Sequence, residues 1–246
     1  MEDMYEREMV VRYTDIDRYG RLAVMEVPMI TQDMLTEYYG TLGADNGTMK
    51  EKSNAAWVIT KMKIAFGKLP VWMGRMTVSA YTIRKDGIRM VIEIKATDED
   101  GNMVFTGDFE TCAIDLTARR IRRINTTCLQ ENVHIYDGNP SFDKLPQDFE
   151  DTDFVTRTAV NWYDIDFTRH TNNTRYIDYM LRTLDPAYLT AKRISSLDVN
   201  FIKESREGDT LSIYRIQEGD TASFQIRKDG TEMLRARFCF TDETDE

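Results

Sequence analysis

Apolar residues recur at three-to-four-residue spacing in two stretches, which predicts an amphipathic helix in each half of the chain. The first stretch covers residues 25–42 and the second covers 172–189. The residues on one face are Met29, Ile30, Met34 and Tyr38 in the first helix and Tyr176, Tyr179, Met180 and Leu184 in the second. Gly43 is placed to end the first helix, and Asn172 or Asn173 is placed to cap the second.

Apolar and polar residues alternate after each predicted helix, which indicates half-buried antiparallel strands. The predicted strands cover residues 55–66, 76–85, 88–97, 102–116 and 119–124 in the first half and 193–202, 210–216, 222–228 and 232–240 in the second. Turn sequences such as Asp100-Gly101 and Asp229-Gly230 separate them. A helix that covers one face of such a sheet is an α+β architecture.

The chain repeats this plan once. Residues 11–17 read VRYTDID and residues 160–166 read VNWYDID, so the same motif returns 149 positions later. Each copy precedes a predicted helix and a set of predicted strands. A long helix wrapped by a curled antiparallel sheet is the hot-dog fold, and the sequence therefore predicts two tandem hot-dog domains.

The repeat also predicts the domain boundaries. We expect an N-terminal domain over residues 1–125 and a C-terminal domain over residues 151–246. The segment 126–150 has no clear apolar period and contains Gly138 and Pro140, which is typical of a linker.

Composition and charge narrow the possible partners. The 246 residues are 41% apolar and 30% charged, with a net charge of −10, so the chain repels nucleic acid and anionic membrane surfaces on average. No stretch approaches the roughly 20 apolar residues of a membrane span. Three cysteines match neither a disulfide framework nor a zinc site, and the acidic N-terminus does not resemble a signal peptide. These features predict a cytoplasmic protein.

One polar cluster differs between the two copies. Asp166 has a counterpart in Asp17, but Thr168, His170, Asn172 and Asn173 belong to the second copy alone. A purely structural repeat could have kept both copies alike. The asymmetry therefore predicts one working site per chain, in the second half.

These residues resemble a known family. The segment DIDFTRHTNNTRYIDYM, residues 164–180, is similar to the active-site segment of the acyl-ACP thioesterases, which has the form D-x-N-x-H-x-N-N-x-x-Y-I. Further similarities are the downstream segment from Phe201 to Ser205, Trp57 with the stretch that leads to Trp72, and the segment from Asp115 to Arg120. The resemblance follows nearly the whole chain in order.

The resemblance assigns roles to single residues. Asp166, His170 and Glu204 match the family's catalytic acid, histidine and glutamate. Thr168 stands where the family usually has a catalytic Asn, and Ser205 stands where it has a Cys. The Ser suggests that a cysteine nucleophile is not required.

The family implies an activity and a partner. The expected reaction is hydrolysis of fatty acyl-[acyl carrier protein] to free fatty acid and carrier protein, which terminates fatty acid synthesis. The expected partner is acyl carrier protein with a phosphopantetheine-linked acyl chain, and no cofactor or metal is expected. The first half would shape the acyl cavity, where Trp57 would contact the substrate, and the chain would be a monomeric pseudo-dimer or a homodimer. The alternatives are an acyl-CoA thioesterase of the hot-dog superfamily and a non-catalytic acyl-binding sensor.

The chemistry of a thioester is consistent with these residues. Hydrolysis needs a carboxylate or imidazole that activates water, or a carboxylate that attacks the carbonyl carbon directly. It also needs donors for the oxyanion, and Asn172 and Asn173 lie at a predicted helix start, where free N–H groups favour negative charge. We expect His170 and Glu204 to handle water and proton transfer. Asp166 would be the nucleophile or would orient the other groups.

Overall fold

The computed structural model describes residues 4–243, and its internal contacts divide the chain into two units, Met1–Phe142 and Asp143–Glu246. Within residues 4–243, each unit contains a set of antiparallel strands and two α-helices. Among the helices within residues 4–243, none combines the length and the apolar character that crossing a membrane requires.

The first unit begins with a strand and two helices and continues with strands alone. Its elements are β1 (Tyr5–Val10), α1 (Glu26–Thr41), α2 (Asn46–Ser53), β2 (Ala55–Phe66), β3 (Arg75–Lys85), β4 (Arg89–Asp98), β5 (Met103–Asp115) and β6 (Ile121–Arg122). The sheet order is β1-β3-β4-β5-β2, every pair is antiparallel, and β6 pairs with the end of β5.

The second unit repeats this plan with shorter helices. Its elements are β7 (Phe154–Ala159), α3 (Asn173–Leu181), α4 (Pro186–Ala191), β8 (Lys192–Phe201), β9 (Thr210–Glu218), β10 (Thr221–Lys228) and β11 (Thr231–Asp242). The strand order is β8-β11-β10-β9-β7, again antiparallel throughout.

Helix α1 forms the core of the first unit as its apolar face predicts. Met34 and Tyr38 are fully buried, and the Tyr38 hydroxyl lies 2.8 Å from Thr82 Oγ1 on β3. Met29, placed on the same predicted face, is exposed. Gly43 follows the helix with a φ of 65°, a conformation that glycine adopts without steric cost, so the predicted stop is confirmed.

The single long helix predicted over residues 172–189 is wrong. The chain forms α3 and α4 instead, separated by a turn before Pro186. Proline inside a helix removes a hydrogen bond and clashes with the preceding turn, whereas at the first helical position it is tolerated. Asp185 caps the new helix by accepting a hydrogen bond from the Ala187 N–H at 2.8 Å.

Two other elements differ from the prediction. The strand predicted over residues 119–124 is reduced to β6, because Arg119 adopts a positive φ of 53° and Ile124 begins a 3₁₀ turn. Helix α2 was not predicted, since Met49 is its only buried residue and it therefore carries no apolar period.

A segment without helix or strand covers the second face of the first unit's sheet. Tyr136 N–H donates to the Thr82 carbonyl at 2.8 Å, and Lys85 Nζ donates to the Glu131 carbonyl at 2.8 Å. Gly138 lies so close to Ile83 that an added Cβ would stand 2.7 Å from the Ile83 Cβ. The sheet is therefore covered on both faces here, and parts of β4 and β5 are more deeply buried than a simple alternation predicts.

Burial on this covered face makes one carboxyl a source of pH-dependent stability. Burial, together with the nearby charge of Glu93, raises the pKa of Asp108 to about 6. A carboxyl with a raised folded-state pKa stabilises the fold below its unfolded pKa near 4, and that contribution is lost as pH rises through 6. We expect Asp108→Asn to raise the free energy of unfolding at pH 7.5 by roughly 1–2 kcal/mol and to change it little at pH 4.

Denaturant unfolding monitored between pH 4 and pH 8 measures this effect. Asp100→Asn is the control, because it removes the same charge from an exposed turn of the same unit. Equal stabilisation by both substitutions would assign the gain to net charge and would contradict a role for burial at Asp108.

Candidate active site

The site is built on a loop between β7 and α3. Within it, Asp166 N–H donates to the His170 carbonyl at 3.0 Å, and Asn172 N–H donates to the Asp164 carbonyl at 2.8 Å. Arg169 makes the tight reversal with a φ of 67°. These backbone bonds fix a short hairpin, so the side chains of alternate residues emerge in defined directions.

The first unit contains the same hairpin at the matching positions. Asp17 N–H donates to the Arg21 carbonyl at 2.7 Å, and Ala23 N–H donates to the Asp15 carbonyl at 2.8 Å. Gly20 makes the reversal there with a φ of 73°. The repeat read from the sequence is therefore a repeat of backbone structure, and the two hairpins can be compared residue by residue.

Four side chains of the second unit form one chain of contacts. Asp166 Oδ1 accepts hydrogen bonds from the Thr168 N–H at 2.8 Å and from Thr168 Oγ1 at 2.6 Å. Thr168 Oγ1 lies 3.3 Å from His170 Nδ1, and His170 Nε2 lies 3.1 Å from Glu204 Oε2. The structure thus brings together the four residues that the sequence predicted to be catalytic.

Thr168 lies between Asp166 and His170. Its Oγ1 is within hydrogen-bond distance of Asp166 Oδ1 and of His170 Nδ1. The other ring nitrogen, Nε2, faces the Glu204 carboxyl. The imidazole and the carboxyl are therefore close enough to pass a proton between them.

Asp166 keeps one oxygen open. Both hydrogen bonds go to Oδ1, and Oδ2 has no hydrogen-bond partner among residues 4–243. At the matching position of the first unit, Asp17 Oδ2 lies 3.5 Å from an Arg21 guanidinium nitrogen. Because His170 replaces this arginine in the second unit, the Asp166 carboxylate lacks the neighbouring cation that occupies the second oxygen of Asp17.

The start of α3 supplies hydrogen-bond donors beside these groups. Asn172 is the N-cap, and its Oδ1 accepts from the Thr174 N–H and Oγ1, both at 2.9 Å. Neither the backbone N–H nor the side-chain amide of Asn173 has a partner within the described range 4–243. Unpaired donors at a helix N-terminus favour a developing negative charge.

Comparison with known proteins identifies the family. Residues 2–131 match the acyl-ACP thioesterase N-terminal domain family, and residues 147–242 match the acyl-ACP thioesterase C-terminal domain family. The chain belongs to the acyl-ACP thioesterase family. The resemblance read from the motifs is therefore confirmed across both halves.

Individual family members are distant in sequence and similar in fold. The acyl-[acyl-carrier-protein] hydrolase FATB2 of Cuphea viscosissima, a chloroplastic protein, is 25% identical over 95% of this chain and 62% of its own length. A crystal structure of an acyl-ACP thioesterase from Bacteroides thetaiotaomicron is 20% identical, with a TM-score of 0.83 over 97% of this chain and 98% of that one. The 12:0-ACP thioesterase from Umbellularia californica is 17% identical, with a TM-score of 0.84 over 99% of both chains.

These comparisons confirm the predicted α+β fold of two tandem hot-dog domains. At such identities the structural likeness establishes the fold and not the activity. The chain spans less than two thirds of the length of the curated acyl-ACP thioesterases first compared, 62% of one and 48% of another.

Two further features, one in each unit, were considered as substrate sites. Trp57 belongs to the first unit, where its ring stacks on Tyr39 at 4.6 Å and its Nε1 donates to the Ala44 carbonyl at 2.8 Å. An open depression of about 630 Å³ in the second unit is lined by Trp162 and Asp164 but not by the four catalytic candidates. Its openness to solvent is unlike an acyl cavity, so we assign it no role.

Three residues around His170 and Glu204 had no site role predicted from the sequence. Ser205, Thr171 and Tyr176 are buried together behind His170 and Glu204. Ser205 was noted only at the position of the family's Cys, and Tyr176 only on a helix face and in the family motif. For Thr171 and Tyr176 the repeat held a further signal. At the matching offset of 149, Thr171 and Tyr176 replace the apolar Leu22 and Val27.

Among residues 4–243, no group of three or more His, Cys, Asp or Glu side chains is arranged to hold a metal ion.

Proposed function

We propose that the protein hydrolyses fatty acyl-[acyl carrier protein] thioesters to free fatty acid and carrier protein. The observation that carries this proposal is the contact chain from Asp166 through Thr168 and His170 to Glu204. It provides an open carboxylate oxygen and a transferable proton in a chain that belongs to the acyl-ACP thioesterase family.

The arrangement favours a two-step reaction. Asp166 Oδ2 attacks the thioester carbonyl carbon, the carbon–sulfur bond breaks, and the departing thiolate takes a proton from the His170–Glu204 pair. Water then attacks the resulting acyl-aspartate and gives a proton back to the His170–Glu204 pair. The bond between the acyl carbon and the Asp166 oxygen then breaks, which releases the fatty acid and restores the Asp166 carboxylate.

In this scheme Thr168 positions Asp166 and His170 relative to each other. Its hydroxyl stands between Asp166 and His170, so Asp166 does not contact the imidazole directly. A residue that only oriented the histidine would be expected to bond to the ring. The oxyanion formed in each step would accept hydrogen bonds from Asn173 and the start of α3, which typically lower such barriers by several kcal/mol.

The proposed partner is an acyl carrier protein whose phosphopantetheine arm holds the acyl chain. Three exposed cations lie within two residues of His170 or Glu204 in sequence: Arg169, Lys203 and Arg206. None of them makes an ion pair with another residue in 4–243. The chain has a net charge of −10, so cations without an ion pair beside the site favour an anionic ligand, such as the phosphate group of the phosphopantetheine arm.

The two domains would divide the work. We propose that the N-terminal domain, residues 1–125, shapes the acyl cavity and includes Trp57, while the C-terminal domain, residues 151–246, performs the chemistry and 126–150 connects them. The free thiols of Cys112, Cys128 and Cys239 support a reducing compartment, and we propose the cytoplasm.

Fatty acid release from a panel of acyl-ACPs, C8 to C18, tests the function. We expect release with a maximum at one range of chain lengths, and we expect slower release from the corresponding acyl-CoAs. Faster turnover of the CoA esters would assign the protein to the acyl-CoA thioesterases. Binding of acyl-ACP without any release would contradict hydrolysis and would indicate an acyl-binding sensor.

A further inference from the structure

Three buried hydroxyl groups hold together the two chain segments that carry His170 and Glu204. We propose that Ser205, Thr171 and Tyr176 form a hydroxyl clamp that positions these two side chains for proton transfer. The hydroxyl clamp rests on the proposed function, since it serves the same site. Its members contact one another rather than the substrate, so they are positioning residues.

The hydroxyl clamp is a closed circuit of short hydrogen bonds. Ser205 is fully buried, and its Oγ lies 2.7 Å from Thr171 Oγ1 and 2.7 Å from the Tyr176 hydroxyl. The Ser205 N–H donates to the Tyr176 oxygen at 3.0 Å, and the Thr171 N–H donates to the Ser205 carbonyl at 2.9 Å. Thr171 Oγ1 also donates to that carbonyl, at 3.2 Å.

Every proton in this circuit has an acceptor. The Tyr176 hydroxyl can donate to Ser205 Oγ, Ser205 to Thr171, and Thr171 to the Ser205 carbonyl, so none of the three hydroxyl protons is unsatisfied. Burial raises the pKa of the Tyr176 phenol above its ordinary value, which keeps it protonated as a donor. A fully satisfied buried network of this kind is rigid.

The fold itself does not require these hydroxyls. In the matching hairpin of the first unit, the Leu22 N–H donates to the Pro70 carbonyl at 2.8 Å, as Thr171 does to Ser205. The side chains there are apolar: Leu22 stands in place of Thr171, Pro70 in place of Ser205, and Val27 in place of Tyr176. Leu22 and Val27 are buried, so apolar packing supports the same backbone.

Of the two matching hairpins, the one with hydroxyl side chains is the one beside His170 and Glu204. Thr171 directly follows His170, and Ser205 directly follows Glu204, so the hydroxyl clamp joins the backbone at both ends of the 3.1 Å contact between Nε2 and Oε2. Misplacement of a reacting group by about 1 Å can cost roughly 100-fold in rate. A rigid link at this point is therefore expected to act on catalysis more than on stability.

Steady-state kinetics of Tyr176→Phe and Ser205→Ala test this role. We expect kcat on acyl-ACP to fall roughly 10- to 100-fold with KM changed by less than about threefold, and we expect the pH dependence of kcat to shift. Ser205→Cys keeps the size and a weak donor and should recover part of the rate.

Tyr38→Phe is the matched control. The Tyr38 oxygen accepts from the Thr82 N–H at 3.2 Å and lies 2.8 Å from Thr82 Oγ1, the same pair of contacts that Tyr176 makes with Ser205. Tyr38 is also fully buried but belongs to the first unit. We expect Tyr38→Phe and Tyr176→Phe to lower the melting temperature by similar amounts and only Tyr176→Phe to lower kcat.

A second readout does not depend on activity. The chain has two histidines, His134 and His170, so the imidazole NMR signals can be assigned with one substitution. We expect Ser205→Ala and Ser205→Cys to move the His170 signals and their pH titration, with His134 unchanged. If wild-type protein hydrolyses no thioester, the proposed function fails while this measurement still decides the hydroxyl clamp. The hydroxyl clamp would be overturned if Ser205→Ala and Ser205→Cys left the His170 signals unmoved and had the same kcat as Tyr38→Phe.

Discussion

His170→Ala is expected to lower the rate of fatty acid release from acyl-ACP by roughly 10²- to 10⁴-fold, the usual contribution of a general acid–base residue. The imidazole contacts both Thr168 and Glu204, so its loss interrupts proton transfer along this chain of contacts. KM should change little, because an alanine removes no contact proposed for the acyl chain. The measurement is kcat and KM on the best acyl-ACP of the panel.

The chain provides its own control for this substitution. His134 lies in the segment that covers the first unit's sheet, with its ring edge-on to Tyr136 at 4.4 Å. His134→Ala should leave kcat within about twofold, as expected for a residue outside the site. Full activity of His170→Ala would mean that another group transfers the proton, and equal losses in the two variants would point to misfolding.

Asp166→Asn is expected to cause the largest loss, at least about 10³-fold in kcat, because residues that act as one catalytic unit fail together. The substitution keeps the shape and can keep the bonds from Thr168 to Oδ1, but it replaces the open carboxylate oxygen with an amide nitrogen. Asp17→Asn makes the same change in the matching hairpin of the first unit and should leave kcat nearly unchanged.

The two possible roles of Asp166, nucleophilic attack and activation of water, can be distinguished by experiment. Glu204→Gln should slow the second step, so rapid quenching followed by intact-mass analysis should reveal an acyl adduct. The adduct should map to the peptide that contains Asp166 and should be absent from the Asp166→Asn, Glu204→Gln double variant. Loss of activity in Asp166→Asn without any adduct would contradict nucleophilic attack and would leave Asp166 as the group that activates water.

Local patterns were sufficient for the large elements and for half of the site. Strand β2 was predicted over residues 55–66 and is observed there. The prediction succeeded because the alternation of apolar and polar residues directly reflects which face of a strand is buried. Helix α1 followed from apolar residues at three-to-four-residue spacing, and its end followed from Gly43. Thr168 and His170 were found because they differ from their counterparts in the repeat, whereas Asp166, which matches Asp17, received its role through the family resemblance.

The remaining errors have separate physical causes. The prediction of a single helix followed the apolar period to Leu184 and took no account of Pro186. Helix α2 depends on its Asp45 cap and one buried methionine, and neither produces a periodic pattern. The covering of the sheet by the segment around Tyr136 depends on contacts between distant residues, which periodicity does not report.

The sequence by itself determined that the chain is a repeat, that its halves are α+β, and where the second copy departs from the first. It named Glu204 only through resemblance, because nothing local distinguishes that residue from an ordinary polar turn. The tertiary structure alone decided that Glu204 meets His170, that Asp166 keeps an open oxygen, and that Ser205, Thr171 and Tyr176 lie behind the pair. The physical reason is that periodicity records which face of an element is buried, whereas a site depends on which distant side chains the folded backbone brings within hydrogen-bond distance.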